Sequence, residues 1–322
     1  MWIPVLLFVV GLVMLIKGGD WFVDGATGLA HRFHVPELLI GATVVSIGTT
    51  LPEVMVSATS AVTGHGEIAY GNAIGSIICN TALIAALTIA IRPSSADRAS
   101  LRLPVIFFFC AAGFYMINAY CFGGFSRASG FILLGLFVLY IVLSILQAAK
   151  TTVPEEKISV SQEKSAPLWR DLVFLAVGAA LIAVGANLLV DNGTKIAQAL
   201  GVPESVIALT FVALGTSLPE LVTAVTALAK GHSALSLGNI VGANLFNLVL
   251  VNGLSTALSP FTVPQSKTIA GVNASLAVEL PLMMLVMAFL TLPALIRGKL
   301  SRVQGIVLLL IYAAFCVFQF AF

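Results

Sequence analysis
The hexapeptide Gly48-Thr49-Thr50-Leu51-Pro52-Glu53 returns 167 residues later as Gly215-Thr216-Ser217-Leu218-Pro219-Glu220. The likeness spreads outward from both copies. Pro36–Asn80 aligns with Pro203–Asn247 without a gap, at 17 identities in 45 positions. It reaches back to Asp24 and Asp191 and forward to Pro93 and Pro260. A second strong patch pairs GNAIGSIICN (71–80) with GNIVGANLFN (238–247). The repeated segments are apolar, and so is the rest of the chain: of 322 residues 59% are hydrophobic and 9% charged. A soluble domain carries about 25% charged residues, so this chain lacks the polar surface to face water all round. The net charge of +2 offers no footing for a nucleic-acid partner.

Apolar runs of bilayer length, about 20 residues, recur throughout. Ten spans are expected, at 3–31, 36–63, 68–91, 103–122, 128–149, 169–198, 204–229, 234–258, 270–295 and 301–321. The polar stretch Lys150–Pro167 reads as a solvated linker, with a first repeat over 1–149, a linker over 150–168 and a second repeat over 169–322. The 167-residue offset spans five crossings, an odd number, so the second copy is inverted. Inverted repeats place a substrate site near the midplane, where the copies meet. With the N-terminus outside, the inner loops and helix ends hold 12 Lys and Arg against 3 on the outer side. That bias orients both termini outward. The N-terminus has no basic segment ahead of its apolar run and no small-residue cleavage site, so no cleaved signal is expected. Cys79, Cys110, Cys121 and Cys316 have no metal or disulfide spacing and read as reduced, buried residues.

Within each hexapeptide the proline removes a backbone donor and clashes with the preceding turn. A helix that stops, unwinds and restarts is expected there, with Thr50/Glu53 and Ser217/Glu220 as capping boxes. Freed carbonyls, the hydroxyls of Thr49, Thr50, Thr216 and Ser217, and the carboxylates of Glu53 and Glu220 would then share one region. A carboxylate at mid-bilayer costs several kcal/mol, and here the cost is met twice at equivalent positions. Charge −2 with an all-oxygen shell suits calcium, which takes 6–8 oxygen ligands, and disfavours magnesium, which sheds water reluctantly. Sodium is also hard and of similar size. Asn72, Ser76 and Asn80 share one face of the next helix, as do Asn239, Ala243 and Asn247. Asn72 and Asn239 serve either as ligands or as donors to backbone freed by the break. Gly71/Gly75 and Gly238/Gly242 read as close-packing patches. His65 and His232 suit turns, Glu37 and Glu204 suit helix starts, and Asp24 and Asp191 are candidates for gating or ion admission. Glu279 has no repeat counterpart and receives no role.

The paired GT(T/S)LPE and GNxxG(S/A)xxxN segments resemble the two alpha-repeats of the calcium/cation antiporter superfamily, most nearly its prokaryotic sodium/calcium exchangers of the bacterial inner-membrane type. The resemblance covers nearly the whole chain. It implies an all-α integral membrane protein of ten transmembrane helices, in two inverted five-helix repeats with broken helices at the midplane. It implies a secondary active transporter in a prokaryotic plasma membrane, not an enzyme. No cofactor is expected. The implied partners are calcium, sodium and the lipid bilayer, with no protein partner and a monomeric state. Glu53 and Glu220 carry over as ligands of both ions. Thr49, Thr50, Thr216 and Ser217 match hydroxyl and carbonyl ligands, and Ser76, Asn80 and Asn247 match third-span and eighth-span positions. Ser46 and Ala213 match positions whose carbonyls face an ion. Three positions depart: Ala243 lacks the hydroxyl of Ser76, Ile77 replaces a common asparagine, and Asn247 stands where potassium-dependent relatives carry aspartate. The family works by sliding its first and sixth spans. A proton/calcium or broader cation antiporter of the same architecture is the alternative.

Overall fold
The computed structural model describes residues 2–150, 167–200, 215–265, 268–269 and 271–321. Ten helices are present among the described residues: α1 (Trp2–Arg32), α2 (Glu37–Val62), α3 (Gly66–Ile91), α4 (Arg98–Phe122), α5 (Arg127–Lys150), α6 (Leu168–Ala199), α7 (Leu218–Ala229), α8 (Ser233–Leu258), α9 (Ser275–Arg297) and α10 (Arg302–Ala321). Among the described residues, all but α7 are long and apolar enough to cross a membrane. The start of the expected seventh span, 204–214, and most of the linker, 151–166, lie outside the described residues.

Burial sorts the helices into core and rim. The apolar window of α8 is 89% buried, that of α10 only 17%. Small residues let α8 sit so deep. A Cβ on Gly238 would fall 2.2 Å from the Leu38 carbonyl oxygen, and one on Gly242 would fall 2.6 Å from the Ala42 Cα. The expectation of close packing therefore holds for the second glycine pair. Gly71 and Gly75 have nothing within 4 Å among the described residues, because the segment equivalent to their counterparts' partners is 205–209, outside that set.

The longest helices, α1 and α6, of 31 and 32 residues, pair along a glycine seam. A Cβ on Gly11 would meet the Gly185 carbonyl at 2.8 Å, one on Gly18 the Gly178 carbonyl at 2.9 Å, and one on Gly25 the Asp171 carbonyl at 2.6 Å. As numbers rise on one helix they fall on the other, so the pair is antiparallel. A shift of 167 maps Gly11 to Gly178 and Gly18 to Gly185, which exchanges the first two contacts. Other local equivalences have the same offset. Gly64 and Gly231 adopt φ of +86° and +90°. Each is followed by a histidine at the helix start, with φ/ψ of −100°/56° at His65 and −90°/55° at His232. These correspondences accord with two copies of one unit in opposite orientation.

The helices are not uniform rods. Wide π turns occupy Asn80–Ala85 in α3 and Asn247–Asn252 in α8, again at the repeat offset, and also Gly41–Val45 and Ser275–Glu279. Short antiparallel contacts tie the helix ends. β1 (Gly124–Phe125) pairs with β2 (Phe261–Thr262), and Ser95 bridges to Lys299. A further ribbon joins β3 (Thr268–Ile269) to β4 (Val272–Asn273).

Three expectations need correction. The first hexapeptide does not interrupt its helix: Ser46–Val62 is continuous, with Pro52 inside it. Proline forfeits one donor, and the helix accepts that loss. The departure from α geometry falls a turn earlier, at Gly41–Val45. There Ser46 Oγ donates to the Gly41 carbonyl at 2.7 Å and Tyr140 Oη to the Ala42 carbonyl at 2.8 Å. With these carbonyls satisfied by side chains, the backbone has no need to unwind. The second copy does break: Thr216 and Ser217 form a turn and α7 starts at Leu218. Neither capping box forms, since Thr50 lies inside a helix and Ser217 makes no side-chain cap bond. The cysteines are free, but only Cys79 is buried; Cys110 and Cys121 are exposed on the apolar face of α4.

Candidate functional site
Glu53 and Glu220 are both completely buried, at 0% exposure. They lie within electrostatic reach of one another, and the Thr49 and Thr50 side chains lie beside Glu220. The site is assembled crosswise between the copies. The π turn that begins at Asn80 packs on α7, which carries Glu220, and the π turn that begins at Asn247 packs on the α2 segment that carries Glu53. Pro219 in the first turn of α7 starts that helix well, since its absent donor would be unsatisfied there anyway. Glu220 follows in the same turn, where helix-end donors favour a carboxylate.

The hydrogen-bond census around these residues is unusual. Among the described residues, both carboxylate oxygens of Glu53 and of Glu220, the hydroxyls of Thr50 and Ser217, and the oxygen and nitrogen of Asn80 and of Asn247 are buried without a hydrogen-bond partner. Buried polar atoms are nearly always paired, and an unpaired buried charge costs several kcal/mol. Here at least six such side chains come from equivalent positions of the two copies. Among the described residues no Lys, Arg or His pairs with either glutamate. Two negative charges ringed by neutral oxygens form a donor set for a hard cation of charge two, or for smaller cations in turn.

The remaining expected residues divide. Ser46 is buried, and its hydroxyl is spent on the Gly41 and Asn239 carbonyls at 2.7 and 2.9 Å. Thr49 donates to Asn239 Oδ1 at 3.2 Å. Ser76 is buried on the same helix face as Asn80. Thr216 is partly exposed and lines a cavity of about 160 Å³ with Pro52, Pro219, Asn187 and Asp191. Ala213 lies outside the described residues. Asn72 resolves as a donor, to Ser57 Oγ at 2.8 Å and the Glu53 carbonyl at 3.3 Å. Asn244, the counterpart of Ile77, donates to Thr81 Oγ1 at 2.7 Å. Glu279 accepts from Ser275 Oγ at 2.9 Å and Gln319 Nε2 at 3.1 Å. His232 holds Glu37 at 2.8 Å, and Lys230 holds Asp24 at 2.7 Å. The sequence reading did not single out Lys230 or the α1–α6 seam. The seam was visible as glycines seven apart at 11, 18 and 25, two of them repeated at 178 and 185.

A helical membrane protein with two buried carboxylates and buried polar side chains at equivalent positions of a repeated motif offers a donor set for a hard cation. Residues 3–146 and 171–321 match the family described as sodium/calcium exchanger protein. The chain belongs to that family, within the calcium/cation antiporter superfamily and of its prokaryotic type. It is 38% identical over 263 residues to the inner membrane protein YrbG of Escherichia coli K12, covering 79% of each chain. It is 29% identical to the sodium/calcium exchanger MaX1 of Methanosarcina acetivorans, covering 98% of each. Among solved structures it is similar to the sodium-calcium exchanger NCX_Mj soaked with sodium and strontium, with TM-score 0.80, 32% identity and 97% of each chain covered.

Proposed function
We propose that the chain exchanges sodium for calcium by alternating access at the cage between the two hexapeptides. The observation that carries this reading is the set of buried, unpartnered oxygens on Glu53, Glu220, Thr50, Ser217, Asn80 and Asn247. Calcium is neutralised by the two glutamates, and the neutral oxygens complete its shell. Sodium ions occupy the same oxygens when calcium has left. Thr49, Thr216, Ser76 and the carbonyls of Ser46 and Ala213 supply the remaining ligands.

The same reading includes the layout of the chain. Residues 1–149 and 169–322 are two inverted units, joined by a cytoplasmic linker at 150–168, with both termini outside the plasma membrane. The glycine seam supports α1 and α6 sliding together as one unit, since their backbones are in direct contact along it.

The deciding experiment uses purified protein in sealed vesicles. Sodium loaded inside should drive calcium uptake, and neither lithium nor a pH gradient should replace it. Comparable uptake driven by a pH gradient alone would establish proton/calcium exchange instead.

A further inference from the structure
The two ends of this repeated molecule are not in the same state. The cavity of about 160 Å³ is lined by Asn187, Asp191, Gly215 and Thr216, and by the two motif prolines. Pro52 and Pro219 each directly precede a caged glutamate, so the cavity approaches the cage itself. Asn187 and Asp191 are exposed, and so stand at its opening. Under the repeat offset its lining maps onto Asp20, Asp24, Gly48 and Thr49, at the opposite end of the antiparallel α1–α6 pair.

That equivalent region is narrower, with a cavity of about 10 Å³ beside Gly48, Thr49 and the same two prolines. The Phe22 ring lies against Gly48, 3.0 Å from where a Cβ would stand. Lys230 Nζ reaches Asp24 Oδ1 at 2.7 Å, the Asp20 carbonyl at 2.9 Å and Asp20 Oδ1 at 3.5 Å. A lysine ammonium thus sits on the pair of positions that Asn187 and Asp191 occupy at the open end. The position equivalent to Lys230 is Thr63, which carries no charge and spends its hydroxyl on the Thr59 and Ser60 carbonyls. Among the described residues no cationic side chain lies within ion-pair distance of Asp191.

We infer that Asp191, with Asn187 beside it, is a capture site for a hydrated divalent cation at the mouth of the open cavity, and that Lys230 is a tethered cation filling the equivalent site at the other end. The inference rests on the reading of the central cage as a calcium site. An exposed carboxylate attracts a divalent ion by outer-sphere contact, leaving the ion's water in place until it reaches Thr216 and the glutamates. Such attraction raises the local ion concentration and is screened by salt. Lys230 denies the opposite end the same service, so a carrier built from equivalent halves gathers calcium unequally from its two sides.

The test compares half-saturating calcium in vesicles of defined orientation, at ionic strengths of about 10 mM and about 300 mM. From the face opposite the Lys150–Leu168 connector, Asp191→Asn is expected to raise it about fivefold at low ionic strength. At high ionic strength the rise should shrink below about twofold. Asp191→Glu should restore the wild-type value, which a merely structural role would not require. From the connector face, Lys230→Gln should lower half-saturating calcium at low ionic strength. A value for Asp191→Asn within about twofold of wild type at low ionic strength overturns the inference, as does an effect confined to the connector face. Absence of sodium-driven calcium flux in the wild type would instead sink the exchanger reading itself.

Discussion

Glu53 and Glu220 are buried without partners among the described residues, so each has opposite effects on the loaded and the ion-free protein. With calcium bound, removing one carboxylate leaves an uncompensated positive charge. Glu53→Gln or Glu220→Gln should therefore reduce calcium exchange by about 100-fold or more, as for breaking a buried ion pair. In chelator the same substitution removes a buried like-charge repulsion, so the melting temperature of the ion-free protein should rise. Near-normal flux in either variant, or a lower ion-free melting temperature, would contradict a shared cage. Asn247 carries a second consequence. In the proposed cage Glu53 and Glu220 would balance a calcium ion, while Asn80 and Asn247 would add oxygens but no charge. A potassium ion held beside calcium would leave a buried net charge of +1, which is costly in a low-dielectric site. Replacing potassium by choline on both sides, with voltage clamped, should leave sodium-driven calcium flux unchanged.

At the level of elements, the α1–α6 seam and the turn between α7 and α8 each make a claim. A Cβ on Gly178 would fall 2.6 Å from the Phe22 backbone nitrogen. Alanine suits a helix better than glycine by about 1 kcal/mol, but forcing apart two close backbones costs about 1–3 kcal/mol. Gly178→Ala should lower the melting temperature and slow exchange; a more stable, equally fast variant would mean that the seam is not close-packed. In the turn, the hydrogen bond to Glu37 holds His232 above the usual imidazole range. Burial and Lys230 oppose the shift, and the nearby Asp24 supports it. Because the folded-state value is the higher one, the stabilisation is complete below the ordinary imidazole value and is lost as pH rises through the raised one. Melting temperature should fall as pH rises past the ordinary imidazole value and through the raised one, and His232→Gln should flatten that slope. The partly exposed pair is worth at most about 1 kcal/mol, so a pH slope unchanged by the substitution would place the titration elsewhere.

For the whole molecule, orientation is the open quantity that charge can settle. The bias of basic residues predicts that the 150–168 connector is inside. A Ser161→Cys variant lacking Cys110, Cys121 and Cys316 should resist an impermeant thiol reagent added outside intact cells. Rapid labelling would invert the topology. Much of this scale was legible from residue order alone. Long apolar runs determine a membrane-embedded helical protein, while an odd number of crossings and a motif with proline and glutamate at a constant offset point to two units and to the proposed cage. Composition and repetition are local or self-referential properties, and they survive translation into structure. Other features arise only when distant segments meet. The crosswise packing of Asn80 on the Glu220 helix, the proline absorbed without a break in α2, and Lys230 reaching Asp24 across 206 residues have no periodic signature. They depend on which surfaces the helices bury against each other. Above all, two nearly equivalent sequences would by themselves allow equivalent ends. Packing left a cavity of about 160 Å³ beside Asp191 and one of only about 10 Å³ at the equivalent place, where Phe22 lies and Lys230 pairs with Asp24, because the side chains that meet there differ between the two copies.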